Sequence, residues 1–329
     1  MLAKKPVNIP RSWQLRVNLG IYLRYPKLVR RFRSKMGYWP NVSFPTSLQE
    51  KFLWRKVFDH NPFFAKVSDK LLAKEYAAST CPDLKIPDVL WSGTDLKDAP
   101  QTLLNSKGML KSNHGCRYVA FLPANDLSSA ALKQKTEQWM AIPYGVDKGE
   151  WAYADIKRRL FIEELINTKS GGPITDYKVH TLGGKAVWVS SLIDPFGPDK
   201  TVTTFRLDGT NHDAEETHSL EKQSPKPGQA FYKAISFAEQ LGKDIDYIRC
   251  DFLASDEDIW FGELTIYTAS GYPDIPNMKL IRYWNDNWDL RNSWFMQRPH
   301  SGWRRSYVAA LSAFINKTRA DSDRPMNPI

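Results

Sequence analysis

The chain is poor in cysteine. Cys81, Cys116 and Cys250 are scattered over 329 residues, odd in number and without a C-x-x-C pair. Neither a zinc cluster nor a disulfide framework is indicated, and a reducing cytoplasm fits. No apolar run approaches the ~20 residues of a membrane-spanning helix, and the N-terminus shows no continuous apolar core of a secretory signal. Neither G-x-x-x-x-G-K-[ST] nor G-x-G-x-x-G occurs, so Walker and Rossmann readings lose their main support. There is no low-complexity stretch and no repeat period. Acidic residues are missing from residues 1–40, which carry ten cations: Lys4, Lys5, Arg11, Arg16, Arg24, Lys27, Arg30, Arg31, Arg33 and Lys35. The formal net charge is +10, so the rest of the chain is neutral. The basicity belongs to an N-terminal appendage.

What is present is abundant in aromatics, with 12 Trp, 14 Tyr and 16 Phe. The length supports two or three lobes. In the appendage, Leu15, Val17, Leu19, Ile21 and Leu23 alternate as in a strand, while Leu15, Leu19 and Leu23 also fit a helix at i, i+4. Leu28, Val29, Phe32 and Met36 then form an apolar stripe among cations, closed by Gly37. That stripe reads either as shallow insertion into an anionic membrane surface or as a cap on the core. Ser68 is the expected N-cap of a helix over 69–79. Strands are expected at 89–91, 108–112, 117–122, 160–166, 177–182 and 185–192, with helices at 128–140, 229–241 and 307–316. Residues 194–226 read as irregular, and the tail from Lys317 as frayed.

The most informative stretch is Tyr247–Gly271, YIRCDFLASDEDIWFGELTIYTASG. Two aromatic-rich runs flank the polar turn Ser255-Asp256-Glu257-Asp258, which predicts a β-hairpin. Asp251 and Glu263 sit inside the runs. A carboxylate buried in a strand is costly unless it is paired or holds a cation. With Arg249 two residues before Asp251 on the same strand face, the pattern points to a Mg²⁺ site beside an anion site. The bland alternative is a hairpin whose charges face water.

R-x-D, then G-E-x-T and a small-residue loop ending in Gly resembles the metal-binding end of an ATP-grasp ligase, most closely the TupA-like branch named for teichuronopeptide synthesis. Further matching blocks occur at Asp69-Lys70, Leu110–Gly115 (LKSNHG), Phe161–Ile166 (FIEELI) and Asp176–Lys185 (DYKVHTLGGK), in order from about residue 50 to 271. The resemblance implies an α+β ATP-grasp fold, two lobes clamping nucleotide, with a basic N-terminal appendage (1–45). The N-terminal and small lobes would span 46–160, the large lobe with its metal-binding hairpin 161–271, and a Trp-rich C-terminal extension 272–329. ATP and one or two Mg²⁺ ions are the implied cofactors. Lys70 and Lys111 would meet phosphate, with Lys74 competing for the role of Lys70. Gly115 would let the loop approach phosphate, and Arg117 would take over one contact where the family's loop has more small residues. Backbone groups of Glu164, Leu165 and Ile166 would meet adenine. Glu163 would take the adenine amino group or orient Lys111, and Asp176 would accept from ribose. Lys178 would point at the transferred phosphate, and Arg249 would stabilise an acyl phosphate. Asp251 and Glu263 would hold metal, with Thr265 as a weaker third ligand where the family commonly has Asn. Thr268, Ser270 and Gly271 would receive the substrate.

The implied activity is an ADP-forming carboxylate–amine ligase. It would join an amino acid or amine to a carboxylate-bearing small molecule or glycan, such as a uronic acid of a capsule or other cell-envelope polysaccharide or its precursor. A glycosyltransferase or phosphotransferase of the same biosynthesis is the alternative, and a non-catalytic nucleotide-binding protein is the second. The expected location is cytoplasmic, peripheral on the inner face of the plasma membrane if residues 1–40 bind anionic lipid. An acidic polysaccharide is the rival partner for those cations, and no nucleic-acid partner is expected.

Overall fold

The computed structural model describes residues 11–124, 128–166, 174–193, 195, 201–212, 227–255, 258–273 and 277–322. The chain divides into two units. The first comprises Met1–Asn61, Asp147–Gly149 and Tyr267–Ile329, and the second Pro62–Val146 and Glu150–Ile266. The segments read as an appendage and a C-terminal extension both fall in the first unit. The hairpin turn residues Asp256 and Glu257 and most of 194–226 lie outside the described residues.

The first unit is helical. Arg11–Arg24 is a helix, so the strand alternative for the leucine run is set aside. Its inner face carries Trp13, whose ring lies 6.0 Å from Phe44 and 6.1 Å from Tyr307. Asn18 donates to Asn41 at 2.9 Å and Tyr22 to the Pro40 carbonyl at 2.6 Å. Leu15, Leu19 and Leu23 face outward, 68%, 57% and 75% exposed. Pro26–Met36 follows, with Pro at its start and Gly37 closing it at φ +80°. Leu28, Val29 and Phe32 are buried, which corrects the membrane-insertion reading of that stripe: these side chains belong to a protein core. Leu48–Phe58 begins with a capping box between Ser47 and Glu50. Its Trp54 indole donates to the Tyr307 hydroxyl at 2.7 Å, which donates to the Ser43 carbonyl at 2.8 Å. Tyr307 lies on the helix Gly302–Ser322. That helix passes Lys317 without fraying, and Arg319 near its end reaches Asp289 at 3.2 Å.

Among its described residues the second unit holds two antiparallel sheets. Strands β1 (Val89–Gly93), β2 (Gly108–Ser112), β3 (Val119–Leu122) and β4 (Leu160–Glu163) pair in the order β1-β4-β2-β3. Strands β5 (Thr175–Leu182), β6 (Lys185–Ile193), β7 (Thr201–Phe205), β8 (Tyr247–Ser255) and β9 (Asp258–Thr265) pair in the order β7-β6-β5-β8-β9. β7 falls where irregular chain was expected; its run Val202-Thr203-Thr204 is β-branched and fits a pleated edge. The first sheet buries Leu110, Leu122 and Ile162 with Leu132 and Trp139 of the helix Ser129–Ala141. The second sheet packs on Gln229–Leu241, where Phe231 meets Tyr177 at 5.6 Å. Because successive strand residues alternate faces, this apolar face leaves the polar residues of β5, β8 and β9 together on the other. The helix Lys70–Thr80 is capped by Asp69, which accepts from Leu71 N–H at 2.9 Å. Ser68 instead ends the preceding helix Pro62–Ser68, which corrects the expected cap. An ionised Asp is the stronger partner for a helix N-terminus.

Candidate active site

The polar face of the second sheet is built in two rows. The register opposes Lys178, Asp251 and Glu263 across β5, β8 and β9, and His180, Arg249 and Thr265 in the next row. Asp251 is 3% exposed. Its Oδ1 accepts from Arg249 Nε at 2.7 Å, and its Oδ2 from Arg249 Nη2 at 2.6 Å and Lys178 Nζ at 2.8 Å. Lys178 also donates to Asp176 at 2.6 Å. Burial works against the Asp251 charge, but Arg249 and Lys178 outweigh it and hold the carboxyl at about 2. Asp176 goes the other way: burial pushes its carboxyl up, and Lys178 only partly offsets this. Glu263 is the accessible carboxylate, its side chain 37% exposed, with Arg249 Nη2 at 3.5 Å and Lys70 Nζ at 3.9 Å.

A second cluster forms on the first sheet. Lys111 of β2 donates to Glu163 of β4, a diagonal pair, since Met109 stands opposite Glu163 and Lys111 opposite Phe161. Lys74 reaches the other Glu163 oxygen at 3.2 Å and the Pro87 carbonyl at 2.8 Å. Burial alone would raise the Glu163 carboxyl; Lys111 and Lys74 hold it below its ordinary value. Lys70 and Lys74 lie one turn apart on one helix. They read as rivals in sequence, yet each has its own carboxylate here: Lys70 faces Glu263 and Lys74 faces Glu163.

The loop after β2 is pinned from inside. Asn113 donates to Asp69 at 2.8 Å and to the Lys157 carbonyl at 3.0 Å, and its side-chain oxygen accepts from Arg159 N–H at 2.8 Å. His114 is buried against the Trp139 carbonyl, Nε2 to O 3.0 Å, and burial lowers its pKa. Gly115 has φ +83°, and a Cβ there would stand 2.9 Å from the rings of Tyr118 and Tyr144. Lys70 donates to the Gly115 carbonyl. Arg117 is exposed at φ 65°. Beyond β4, the Glu164 N–H is already given to the Asp88 carbonyl at 3.0 Å, and its carboxylate accepts from Asp88 N–H at 3.1 Å. Leu165 and Ile166 follow in irregular chain. Thr268, Ser270 and Gly271 belong to the first unit. There Lys56 Nζ donates to the Ser270 carbonyl at 2.9 Å, and a Cβ on Gly271 would come 2.8 Å from Phe52.

Sequence reasoning missed His180. It continues the alternation Asp176, Lys178, His180, which was the available signal. Its ring stacks on Trp188 at 4.3 Å, and its Nδ1 lies 3.2 Å from the Tyr247 hydroxyl. Complete burial, with Arg249 nearby, puts its pKa well below the ordinary value, so it is a neutral wall beside Arg249.

Residues 50–283 match the model of the TupA-like ATP-grasp family. The chain belongs to the TupA-like ATP-grasp family. It has the mixed helix-and-sheet ATP-grasp fold of that family, with two antiparallel sheets among the described residues. Among solved structures, D-alanine–D-alanine ligase from Bacillus anthracis complexed with ATP is 13% identical over 78% of this chain and 67% of its own, with a TM-score of 0.38. The L-amino acid ligase from Bacillus licheniformis is 12% identical over 80% and 56%, with a TM-score of 0.41. The ATP-grasp ligase PsnB, complexed with minimal precursor, Mg and ADP, is 10% identical over 92% and 74%, with a TM-score of 0.38. These likenesses are distant, and membership rests on the family match. No curated protein matches.

The TupA-like site can be tested for Mg²⁺ on its donors. Magnesium takes one or two carboxylates and leaves its other positions to water and phosphate. Glu263 is accessible, and Asp251 Oδ1 accepts only one bond, so the pair fits an ion in that mode. Thr265 is a poorer ligand, because its hydroxyl already accepts from Arg249 at 3.1 Å. Among the described residues no cluster of three or more His, Cys, Asp or Glu could hold a metal, and an ion held by one or two carboxylates would leave its other positions to phosphate or water.

Proposed function

We propose that the chain is an ATP-dependent, ADP-forming carboxylate–amine ligase that makes an amide through an acyl phosphate. It joins an amino acid or amine to a uronic acid of a cell-surface polysaccharide or its precursor. The observation that carries this reading is the charged face of β5, β8 and β9, set within the family match. Arg249 and Lys178 are fixed there by Asp251, with Glu263 accessible beside them. Lys70, Lys111 and Lys74 add ammonium groups for a triphosphate. Bound Mg²⁺ would neutralise phosphate oxygens. Arg249 and Lys178 would hold the transferred phosphoryl group and the charge that develops on it, which is positioning and electrostatics rather than covalent chemistry by the protein. Glu163 sets Lys111, and Leu165 and Ile166 supply backbone groups for adenine.

The test is ADP release with Mg²⁺ over a panel of uronic acids and amines. ADP is expected only when both carboxylate and amine are present. Hydroxylamine in place of the amine is expected to trap a hydroxamate, and Arg249→Ala to suppress it. Labelled phosphate left as a stable ester would make the protein a kinase, and consumption of a nucleotide sugar without ATP a glycosyltransferase.

The first unit supports a peripheral place of action. None of its described helices is long and apolar enough to cross a membrane. The exposed Leu15, Leu19 and Leu23 form one helical stripe flanked by Arg16, Arg24 and Lys27. On this reading the protein sits on the anionic inner face of the plasma membrane through this stripe, with leucines inserted shallowly and cations on headgroups.

A further inference from the structure

The first unit contains a cavity of about 850 Å³ that the ligase reading leaves without a use. Val17 and Ile21 of the first helix, Val57 and Phe295 give it an apolar floor, and Arg16, Arg24, Arg298 and Arg304 line it as well. No Asp or Glu is among the lining residues. Among the described residues none of these four guanidinium groups is in an ion pair. Two of them stand over aromatic rings, with the Arg298 Cζ 4.3 Å from the Trp294 centroid and the Arg304 Cζ 5.5 Å from the Trp303 centroid. A guanidinium held over an aromatic ring by a cation–π contact still offers N–H donors for bidentate contact with a carboxylate or phosphate. Unpaired cations of one sign in a concave wall also focus field on an incoming anion. The size is that of a ligand site rather than a packing defect.

We propose that this cavity is a docking site for an acidic glycan chain, whose sugar rings lie on the apolar floor and tryptophan edges while successive carboxylates meet Arg298 and Arg304. The proposal rests on the ligase reading for its choice of substrate class. A membrane is disfavoured as occupant because the exposed Leu15, Leu19 and Leu23 do not line the cavity.

The experiment is equilibrium binding of a galacturonic acid oligomer to the full chain, read by tryptophan fluorescence and calorimetry. Binding that weakens with salt is expected, with none for a neutral dextran oligomer of equal length. Arg298→Ala with Arg304→Ala is expected to weaken binding about ten-fold or more, and the double Lys variant to recover only part of it. Lys279→Ala with Arg282→Ala removes the same charge from another exposed helix of this unit and is expected to leave binding unchanged. ADP release with a monomeric uronic acid and amine is expected to be unaltered in the Arg298/Arg304 variant, and its thermal melting to be that of the parent. No oligomer binding, equal binding of dextran, or equal loss in the Lys279/Arg282 control would overturn the docking site while leaving the ligase reading intact. Loss of anionic-vesicle binding in the Arg298/Arg304 variant, with no oligomer binding by the parent, would assign the cavity to lipid headgroups. Failure of ADP release with every acid and amine, in a parent that binds the oligomer, would sink the ligase reading and keep the site.

Discussion

At the scale of single residues, Asp251 and Glu263 look equivalent in sequence and are not equivalent in the fold. Asp251 is the counter-ion of two half-sequestered cations. Asp251→Asn leaves Arg249 and Lys178 uncompensated, and breaking a buried pair in this way costs about 3–5 kcal/mol. Glu263 is partly exposed and its ion pairs are long, so Glu263→Gln should change stability by no more than about 1 kcal/mol. Both substitutions should abolish ATP turnover. Urea unfolding beside an ADP assay checks the split; equal stability losses would mean that Asp251 is not the internal counter-ion. The pH dependence follows the same network. The Asp251 carboxyl is held at about 2, below its unfolded value. Its stabilising contribution is therefore complete above the ordinary aspartate range, near 4, and is lost as pH falls toward 2. Asp176 is raised instead, so its charge is a burden at neutral pH, and Asp176→Asn should leave stability unchanged or higher. A fall in melting temperature at pH 7 for that variant would refute the assignment. Lys111→Ala should weaken ATP far more than adenosine, because an ammonium acts on phosphates; equal losses would place Lys111 away from them.

At the scale of elements, what was legible followed a period. The hairpin of β8 and β9 and the amphipathic helix Gln229–Leu241 each repeat a pattern that only one geometry satisfies. The face shared by β5, β8 and β9 was legible residue by residue, but the row register that places Lys178 against Asp251 is set by long-range pairing, which no local period encodes. That is also why His180 was passed over. The first helix was ambiguous for the opposite reason: both of its periods are real. Trp13, Asn18 and Tyr22 anchor one face, and the leucines at i, i+4 and i+8 stay outside. Leu28, Val29 and Phe32 stayed open between membrane and core, since an apolar stripe among arginines has one appearance whichever covers it; the fold gives them to the core. For this element the expected result is that Leu15→Asn, Leu19→Asn and Leu23→Asn together abolish cosedimentation with anionic vesicles, while the parent binds and is released by moderate salt. Unchanged binding would remove the leucine face from the membrane reading.

At the scale of the whole molecule, the first unit is sewn from both ends of the chain. Residues 11–58 and 277–322 share one core, in which Trp54, Trp284, Trp288 and Tyr307 are fully buried. A basic appendage could be cut away without consequence only if it contributed nothing to that core. Ile21, Leu28, Val29 and Phe32 are all buried in it, with Phe32 wholly inaccessible. Phe32→Ala alone should cost about 3–5 kcal/mol through lost burial and a residual cavity, a large share of the net stability of an ordinary domain. Removing residues 1–37 deletes all four side chains at once. The truncated chain should therefore lose the cooperative urea transition of the first unit, reported by its buried tryptophans, and should not simply behave as a soluble ligase that has shed its anchor. The second unit has its own core around Trp139 and Trp188, so a second transition should survive. The triple leucine variant is the needed contrast, because it removes exposed apolar surface without opening the core. It should keep the parent's first transition while losing vesicle binding. A truncated chain that unfolds at the parent's midpoint would show that the first 37 residues lie on the surface and not in the core.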